Sequence, residues 1–133
     1  MKKPDEPFDV RSPQTWLLQA QSDLNLARGA RQIEDVLPEH LAFHAQQCAE
    51  KAIKAVLLSR NMQFLPTHNI QALIDLCEKG GLAIPEILEE SVELTPYAVE
   101  GRYLELAEPV SESDANHAIE LAAEVLKWAE TQI

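Results

Sequence analysis

Apolar residues recur along most of the chain at intervals of three and four, the spacing of amphipathic helices rather than of strands. Ser12 and Pro13 predict the start of a first helix, with serine as the N-cap and proline in the first turn. The apolar stripe that follows predicts a helix to about Ile33. That stripe consists of Trp16, Leu17, Ala20, Leu24 and Ala27.

A second helix of similar length is predicted from Pro38 to about Arg60, where Asn61 can close it. Its apolar face consists of Leu41, Ala45, Cys48, Ala49, Ala52, Ile53, Val56 and Leu57. A third, shorter helix is predicted to end at Gly80 and Gly81. Its stripe consists of Ile70, Leu73, Ile74 and Cys77.

The fourth helical segment is predicted to begin at Pro85 and to be kinked or interrupted at Pro96. Proline lacks an amide hydrogen and clashes with the preceding turn of a helix. We expect another turn or two between Tyr97 and Tyr103. Ser111 and Asp114 then resemble a capping box at the start of a long last helix.

The helix lengths and short connections predict an all-α fold, a four- to five-helix up-and-down antiparallel bundle. The four glycines of the chain are too few for the many tight turns of an all-β fold. Residues 1–11 carry prolines and mixed charge, and we expect them to form a flexible lead-in. Residues 12–133 are then expected to form a single domain.

The net charge of −11 argues against non-specific nucleic-acid binding, because affinity for phosphates comes largely from lysine and arginine. A strongly acidic chain can still bind nucleic acid through a local basic pocket, and it can also pair with a basic surface on a protein partner. The sequence contains no signal peptide and no stretch of membrane-spanning length, so we expect a cytoplasmic protein without a membrane partner. Cys48 and Cys77 lack metal-site spacing and are predicted to be apolar core residues with free thiols, and no metal or cofactor is expected.

Polar residues of the second helix fall within an arc of about 120° on a helical wheel. They are His44, Gln47, Glu50, Lys51 and Lys54. One interpretation is a solvated face with an ion pair between Glu50 and Lys54. The other is a polar stripe in a cleft or at a subunit interface. Gln46 lies at the edge of the apolar arc, where a buried amide would need partners.

The stretch from Phe43 to Lys54 resembles the central motif of HEPN domains, which are named as nucleotide-binding domains of higher eukaryotes and prokaryotes. Other parts of the chain resemble the family in the same order. They are Ala20, Asp23, Leu24 and Ala27 in the first helix; Thr67, His68, Asn69 and Leu73; Leu94, Thr95, Pro96 and Tyr97 with Arg102 and Tyr103; and Ala122 and Trp128 in the last helix. The resemblance covers about residues 13–131.

The resemblance implies a helical bundle that is usually a homodimer. Many members are encoded beside a minimal nucleotidyltransferase and act with it as a two-component module, often of toxin–antitoxin type. Some members are metal-independent ribonucleases, and others bind a nucleotide or substrate without catalysis. We therefore expect a HEPN-type interaction module, the non-catalytic homodimeric partner of a minimal nucleotidyltransferase, with a nucleotide or phosphate as its expected ligand.

Ribonuclease members carry an arginine followed, after four to six residues, by a histidine. Arg102 corresponds to the arginine, but none of residues 103–110 is a histidine. Glu105 and Glu108 would also repel a phosphate there. We therefore predict no catalytic residue. A divergent ribonuclease, with His44 or His68 supplying the imidazole, is the alternative, and a purely structural dimer is the third hypothesis.

A small basic patch in an otherwise acidic protein would suit a nucleotide or phosphate. Its predicted members are His44, Gln47, Lys51, Lys54, Arg102 and Tyr103. The alternative for Arg102 is a salt bridge to a carboxylate such as Glu50. A second set is predicted to serve as the structural motif, and it consists of Gln46, Glu50, His68 and Tyr97.

Overall fold

The computed structural model describes residues 9–64, 66–99 and 108–133. All regular elements in this part of the chain are helical, as predicted. They are α1 (Pro13–Ala30), α2 (Pro38–Ser59), α3 (Ile70–Lys79), α4 (Glu86–Glu90), a 3₁₀ helix (Ser91–Tyr97) and α5 (Glu112–Gln132). None of the helices among these residues is long and apolar enough to cross a membrane.

The predicted ends of the two long N-terminal helices differ in accuracy. The Ser12 side chain caps α1 by accepting a hydrogen bond from the Thr15 amide, but the helix ends at Ala30 rather than near Ile33. Gly29 in its last turn has low helix propensity, which favours this earlier end. Asn61 closes α2 as predicted, because its φ of 56° lets the chain reverse direction.

Helix α2 lies at the centre of the bundle and packs most extensively against α1 and α5. The predicted antiparallel arrangement holds for α1 and α2. Helix α5 runs in the same direction as α2, because Cys48 lies against Ala122 and Arg60 lies against Gln132. This direction is possible because residues 60–64 and 66–69 turn back along α2, and the 3₁₀ helix that follows α3 and α4 lies against the first turns of α5.

The predicted interruption near Pro96 takes the form of a change in helix type. Helix α4 ends at Glu90, and the 3₁₀ helix that follows contains Pro96. In an α-helix the proline ring would clash with the carbonyl of Val92, so the α-helical spacing is not continued. The further turns expected from Tyr97 to Tyr103 fall largely outside the described residues.

The capping box at the start of α5 is confirmed. The Ser111 hydroxyl accepts from the Asp114 amide at 3.0 Å, and the Asp114 carboxylate accepts from the Ser111 amide at 2.9 Å. These two hydrogen bonds with Ser111 hold the pKa of Asp114 below its usual value. Small residues let α1, α2 and α5 approach closely, among them the fully buried Ala20, Ala27, Ala42, Ala45, Ala49, Ala52, Ala122 and Ala129.

Candidate functional site

The part of the predicted polar face of α2 that carries Glu50 and Lys54 is not solvated. The side chains of Glu50 and Lys54 are only 4% and 7% exposed, and Gln46 is fully buried. The interpretation as a solvent-exposed ion pair is therefore wrong for this pair. Residues 60–64 and 66–69 turn back over this side of α2, and the N-terminal part of α1 covers it as well.

Glu50 is the centre of a buried hydrogen-bond network. One carboxylate oxygen accepts from the Lys54 amine at 2.8 Å, one helical turn away. The other oxygen contacts Nδ1 of His68 at 2.8 Å and accepts from the Gln46 amide at 3.0 Å. Gln47 donates in turn to the Gln46 oxygen at 2.7 Å. The buried amide of Gln46 thus has the partners that its position required.

The charge state of Glu50 follows from these contacts. Burial alone would raise its pKa, but hydrogen bonds from Lys54, Gln46 and His68, together with the lysine charge, outweigh burial and lower the pKa. Glu50 is therefore a carboxylate at neutral pH and only accepts hydrogen bonds. Nδ1 of His68 must then carry the proton, which fixes the tautomer of a neutral imidazole.

Two aromatic rings lie close to the Lys54 amine. Its nitrogen lies 5.6 Å from the ring centre of Trp16 and 5.3 Å from that of Phe64. The two rings meet edge to face. Cation–π attraction and the Glu50 carboxylate together compensate for the burial of this amine.

A second cluster forms around Asp23 of α1, on the same side of α2 but nearer its start. Asp23 accepts from the Lys51 amine at 2.7 Å with one oxygen, and its other oxygen lies 3.1 Å from Nδ1 of His44. The Asp23 side chain is 13% exposed, whereas those of Lys51 and His44 are 21% and 31% exposed. This cluster is therefore partly accessible to water.

The structure divides the predicted ligand-binding residues between these two clusters. His44 and Lys51 pair with Asp23, while Lys54 pairs with Glu50 and Gln47 contacts the Glu50 network through Gln46. A single basic patch is therefore not formed by these four residues. Arg102 and Tyr103 lie outside the described residues, and so does the proposed salt bridge between Arg102 and Glu50. Ligand binding by this set stays a prediction.

The residues of the predicted structural motif lie in two places. Gln46, Glu50 and His68 form the buried network, whereas Tyr97 packs against the core at the end of the 3₁₀ helix. Burial raises the pKa of the Tyr97 hydroxyl, and the negative charges of Asp114 and Glu93 raise it further.

The sequence did not identify the residues that pair with, or cover, the basic side chains of α2. Asp23 interrupts the apolar side of α1, since it lies three residues after Ala20 and four before Ala27. This position on the apolar side was the one feature of the sequence that could have indicated its pairing. Trp16 was assigned to the apolar stripe, which gave no sign that its ring also faces an amine. Phe64 lies in a connecting segment without periodicity, so nothing in the sequence linked it to Lys54.

His68 is the most accessible member of the Glu50 network, with a side chain that is 58% exposed. Its ring is oriented by the buried carboxylate, which leaves Nε2 as the nitrogen able to accept a proton. This is the arrangement in which a carboxylate positions an imidazole for proton transfer. A groove of about 480 Å³ lies next to this segment. It is lined by Gln63, Phe64, Thr67, Ala72, Asp75, Leu76 and Lys79.

The two cysteines are buried with free thiols, as predicted. Burial raises the pKa of Cys48 to about 12, with Asp23 adding to the effect, and raises that of Cys77 to about 11. Both are therefore unreactive thiols at neutral pH. Within residues 9–64, 66–99 and 108–133, no group of three or more histidine, cysteine or acidic side chains could hold a metal ion.

Comparison with known families and structures gives a consistent result. The family model described as the HEPN domain matches residues 13–132. The crystal structure of TT1696 from Thermus thermophilus is similar, with 30% identity and a TM-score of 0.75, over 91% of this chain and 98% of that one. The crystal structure of ST0689, an archaeal HEPN homologue, has 29% identity and a TM-score of 0.71, over 91% and 97%. No curated protein sequence is significantly similar to the chain.

Proposed function

The chain belongs to the HEPN domain family, and we propose that it acts there as a non-catalytic interaction module. In this proposal it is a homodimer that partners a minimal nucleotidyltransferase in a two-component pair of the toxin–antitoxin kind. The observation that supports a non-catalytic role is that the basic side chains of α2 are paired with carboxylates. His44 and Lys51 are committed to Asp23, and Lys54 is committed to Glu50.

The sequence around Arg102 supports the same proposal. Metal-free RNA cleavage needs a base for the 2′-hydroxyl and a cation beside the phosphate. No histidine follows Arg102 at the ribonuclease spacing, and Glu105 and Glu108 add negative charge instead. A protein partner with a basic surface is a better match to this chain than a nucleic acid.

The acidic side of the bundle is the surface that such a partner would contact. The exposed side of α5 carries Glu112, Glu120, Glu124 and Glu130, and α4 carries Glu86, Glu89 and Glu90. Opposite charges on two proteins speed association and fix their orientation. We therefore expect the complex with the nucleotidyltransferase to weaken as the salt concentration rises.

The test is co-purification with the nucleotidyltransferase encoded by a neighbouring gene. The two full-length proteins should elute together, and the double variant Glu120→Lys with Glu124→Lys should weaken binding at least tenfold. The matched control combines Glu34→Lys with Glu78→Lys, which changes the net charge equally at exposed positions elsewhere. If two folded proteins fail to associate at low salt, the pairing is wrong.

Nucleotide or phosphate binding is the finer part of the proposal. Of the predicted set His44, Gln47, Lys51, Lys54, Arg102 and Tyr103, it would rest on Arg102, because the other basic side chains are paired with carboxylates. A ligand that binds only the folded state raises the melting temperature. Nucleoside triphosphates should do so for the wild type, and Arg102→Ala should abolish the shift. A purely structural dimer would show no shift with any nucleotide.

A divergent ribonuclease is the second candidate, and the exposed imidazole of His68 favours it. The buried carboxylate of Glu50 orients this ring for proton transfer. Structured RNA should be incubated with the wild type, Arg102→Ala and His68→Ala under metal-free conditions. Cleavage that is lost in either variant would support an enzyme, and an intact RNA after prolonged incubation with the wild type would exclude it.

A further inference from the structure

The imidazole of His68 is held by a buried carboxylate at one nitrogen and is open to solvent at the other. Its side chain is 58% exposed, whereas the Glu50 side chain, 2.8 Å from Nδ1, is only 4% exposed. Because the ionised Glu50 can only accept, the proton of the neutral ring lies on Nδ1 and the lone pair on Nε2. Within the described part of the chain, Nε2 has no hydrogen-bond partner. The ring therefore presents an unprotonated nitrogen to the solvent.

The position of this ring does not depend on Glu50 alone, because hydrogen bonds also hold the adjacent backbone. The His68 carbonyl accepts from the side-chain amide of Gln46 at 3.4 Å. The next residue, Asn69, caps α3 by accepting from the Ala72 amide at 3.1 Å. A side chain that is already ordered loses less conformational entropy when it engages a second molecule. The exposed nitrogen is thus preorganised.

Two other histidines with described partners lack this combination of accessibility and orientation. His117 is similarly exposed, at 55%, but its Nε2 is the nitrogen that faces a carboxylate. That carboxylate, of Glu93, lies 3.5 Å away and is itself 58% exposed. His44 contacts Asp23 at 3.1 Å, but its side chain is only 31% exposed, and the same carboxylate also binds Lys51.

The Glu50 network favours covalent attack by Nε2 of His68. A histidine nitrogen with a free lone pair is a nucleophile. When Nε2 forms a new bond while Nδ1 keeps its proton, the ring becomes a positively charged imidazolium. A carboxylate that accepts from Nδ1 stabilises this charge, which is its role in catalytic Asp–His pairs. Lys54 binds the other oxygen of Glu50 and helps to keep the carboxylate ionised.

The surroundings of His68 suit a compact phosphorylated electrophile. Thr67, the preceding residue, lines the groove of about 480 Å³, where the described charged residues are Asp75 and Lys79. Their charges cancel, whereas the chain as a whole carries a net charge of −11. A small anion at this groove therefore meets less repulsion than a long polyanion that extends over the acidic surface.

The absence of a described acid beside Nε2 narrows the class of electrophile to an acyl phosphate. No described residue donates a hydrogen bond there, and the Nδ1 proton of His68 is held by Glu50. A leaving group that needs a proton, such as an alkoxide, would have no donor. The carboxylate that leaves an acyl phosphate departs without one.

We propose that Nε2 of His68 is a phosphoryl-acceptor site that takes the phosphoryl group of an acyl phosphate. The Nε2–P bond forms as the P–O bond to the acyl group breaks, and the bonding electron pair leaves on the acyl carboxylate. The Nδ1 proton stays between the ring and Glu50, and nothing is oxidised or reduced. This inference goes beyond the proposed function, because it requires neither the homodimer nor the nucleotidyltransferase.

The first experiment incubates the full chain with acetyl phosphate and measures the intact mass without acid treatment, because acid hydrolyses a phosphoramidate. The wild type should gain a single phosphoryl group, and fragment masses should place it on His68. His68→Asn should abolish this gain while its amide can still donate to Glu50, so the helical circular dichroism should be unchanged. His117→Asn removes a histidine of similar exposure and should leave the rate of phosphorylation unchanged.

The second experiment tests Glu50 as the residue that positions the ring and stabilises its charge. Before reaction, NMR of the ring nitrogens should show the proton of neutral His68 on Nδ1, and phosphorus NMR of the product should place the phosphoryl group on Nε2. Glu50→Gln should slow the reaction roughly tenfold or more, because the charge that stabilises the imidazolium is lost. Asp75→Asn removes a carboxylate of the nearby groove and should not slow it. Rates are compared at a temperature where circular dichroism shows every variant folded.

The outcomes separate this inference from the proposed function and from the ribonuclease candidate. A wild type that gains no phosphoryl group, or that carries it on another residue or on Nδ1, would overturn the acceptor site. An unchanged rate in Glu50→Gln would overturn the role of the carboxylate. RNA cleavage that depends on His68, without any phosphoryl gain, would assign Nε2 to proton transfer instead. Phosphorylation at Nε2 that is lost in His68→Asn and slowed in Glu50→Gln would support the inference, whatever the result with the nucleotidyltransferase.

Discussion

The two ion-pair clusters beside α2 are built from similar groups, yet they differ in what covers them. Glu50 and Lys54 lie under Trp16, Phe64 and the segment that carries His68. Among the described residues, the Asp23 cluster is formed by α1 and α2, and water reaches its Lys51 and His44 side chains. The amine–carboxylate distances of Lys51–Asp23 and Lys54–Glu50 are nearly equal. The two pairs should nevertheless contribute very differently to the free energy of unfolding, because the loss of one partner is costly only where water cannot replace it.

The largest effect is expected from Glu50→Ala. It leaves the Lys54 amine and the Gln46 amide buried without their main partner. Removing one partner of a buried ion pair costs about 3–5 kcal/mol. Chemical denaturation should show this loss in the free energy of unfolding. A loss below about 1 kcal/mol would mean that water already reaches the cluster.

The double variant Glu50→Gln with Lys54→Met should be less damaging than Glu50→Ala, although it changes two buried residues. It removes both charges, and the new amide oxygen can still accept from Gln46 and His68. A neutral replacement of a buried ion pair is often tolerated, so we expect a loss of about 1–2 kcal/mol. A double-mutant cycle from denaturation curves measures the coupling energy between Glu50 and Lys54. Strictly additive losses in the two single variants would contradict the expected coupling.

Asp23→Asn should have a smaller effect on stability, about 1 kcal/mol, because water reaches the Lys51 amine and the His44 ring that it leaves behind. The amide oxygen still accepts one hydrogen bond. The effect should also shrink at high salt, whereas that of Glu50→Ala should not. Equal salt sensitivity of the two variants would remove the distinction between the clusters.

The smallest expected effect concerns how the melting temperature depends on pH in the acid range. The folded state lowers the pKa of Glu50 below its ordinary value of 4.5, so its contribution is complete above that pH and is lost as the pH falls through the folded pKa. The melting temperature of Glu50→Gln should therefore fall less steeply below about pH 5 than that of the wild type. Asp114→Asn serves as the comparison variant, because the pKa of Asp114 is also lowered but its carboxylate lies in an exposed capping box. Identical slopes for Glu50→Gln and the wild type would contradict the assignment.

The fold was largely predictable because it depends on local signals. Each local feature depends on a few neighbouring residues: the apolar stripe of α2, the N-cap at Ser12, the capping box at Ser111 and the end of α2 at Asn61. The family resemblance added the central motif, and the family is now established over residues 13–132. The direction of α5 relative to α2 depends on the path of residues 60–64 and 66–69, which have no apolar periodicity.

The candidate site was predicted only in part, for a physical reason. A helical wheel shows which residues share a face of α2 but not what lies over that face. Glu50 and Lys54 were correctly placed together as an i,i+4 pair, but their burial depends on Phe64 and His68. Asp23, which divides the predicted patch, belongs to another helix, and its pairing with Lys51 needs the tertiary structure.

The shared direction of α2 and α5 has a consequence for rearranging the gene. Helix α1 begins, and helix α5 ends, at the end of the bundle where Trp16 lies near Lys54 and Arg60 contacts Gln132. A short flexible linker could therefore join the end of α5 to the start of α1, with a new break in the exposed turn near Asp35. Such a circular permutant would retain every helix and both ion-pair clusters. It would also carry any fused reporter at the opposite end of the bundle from the buried Glu50 network.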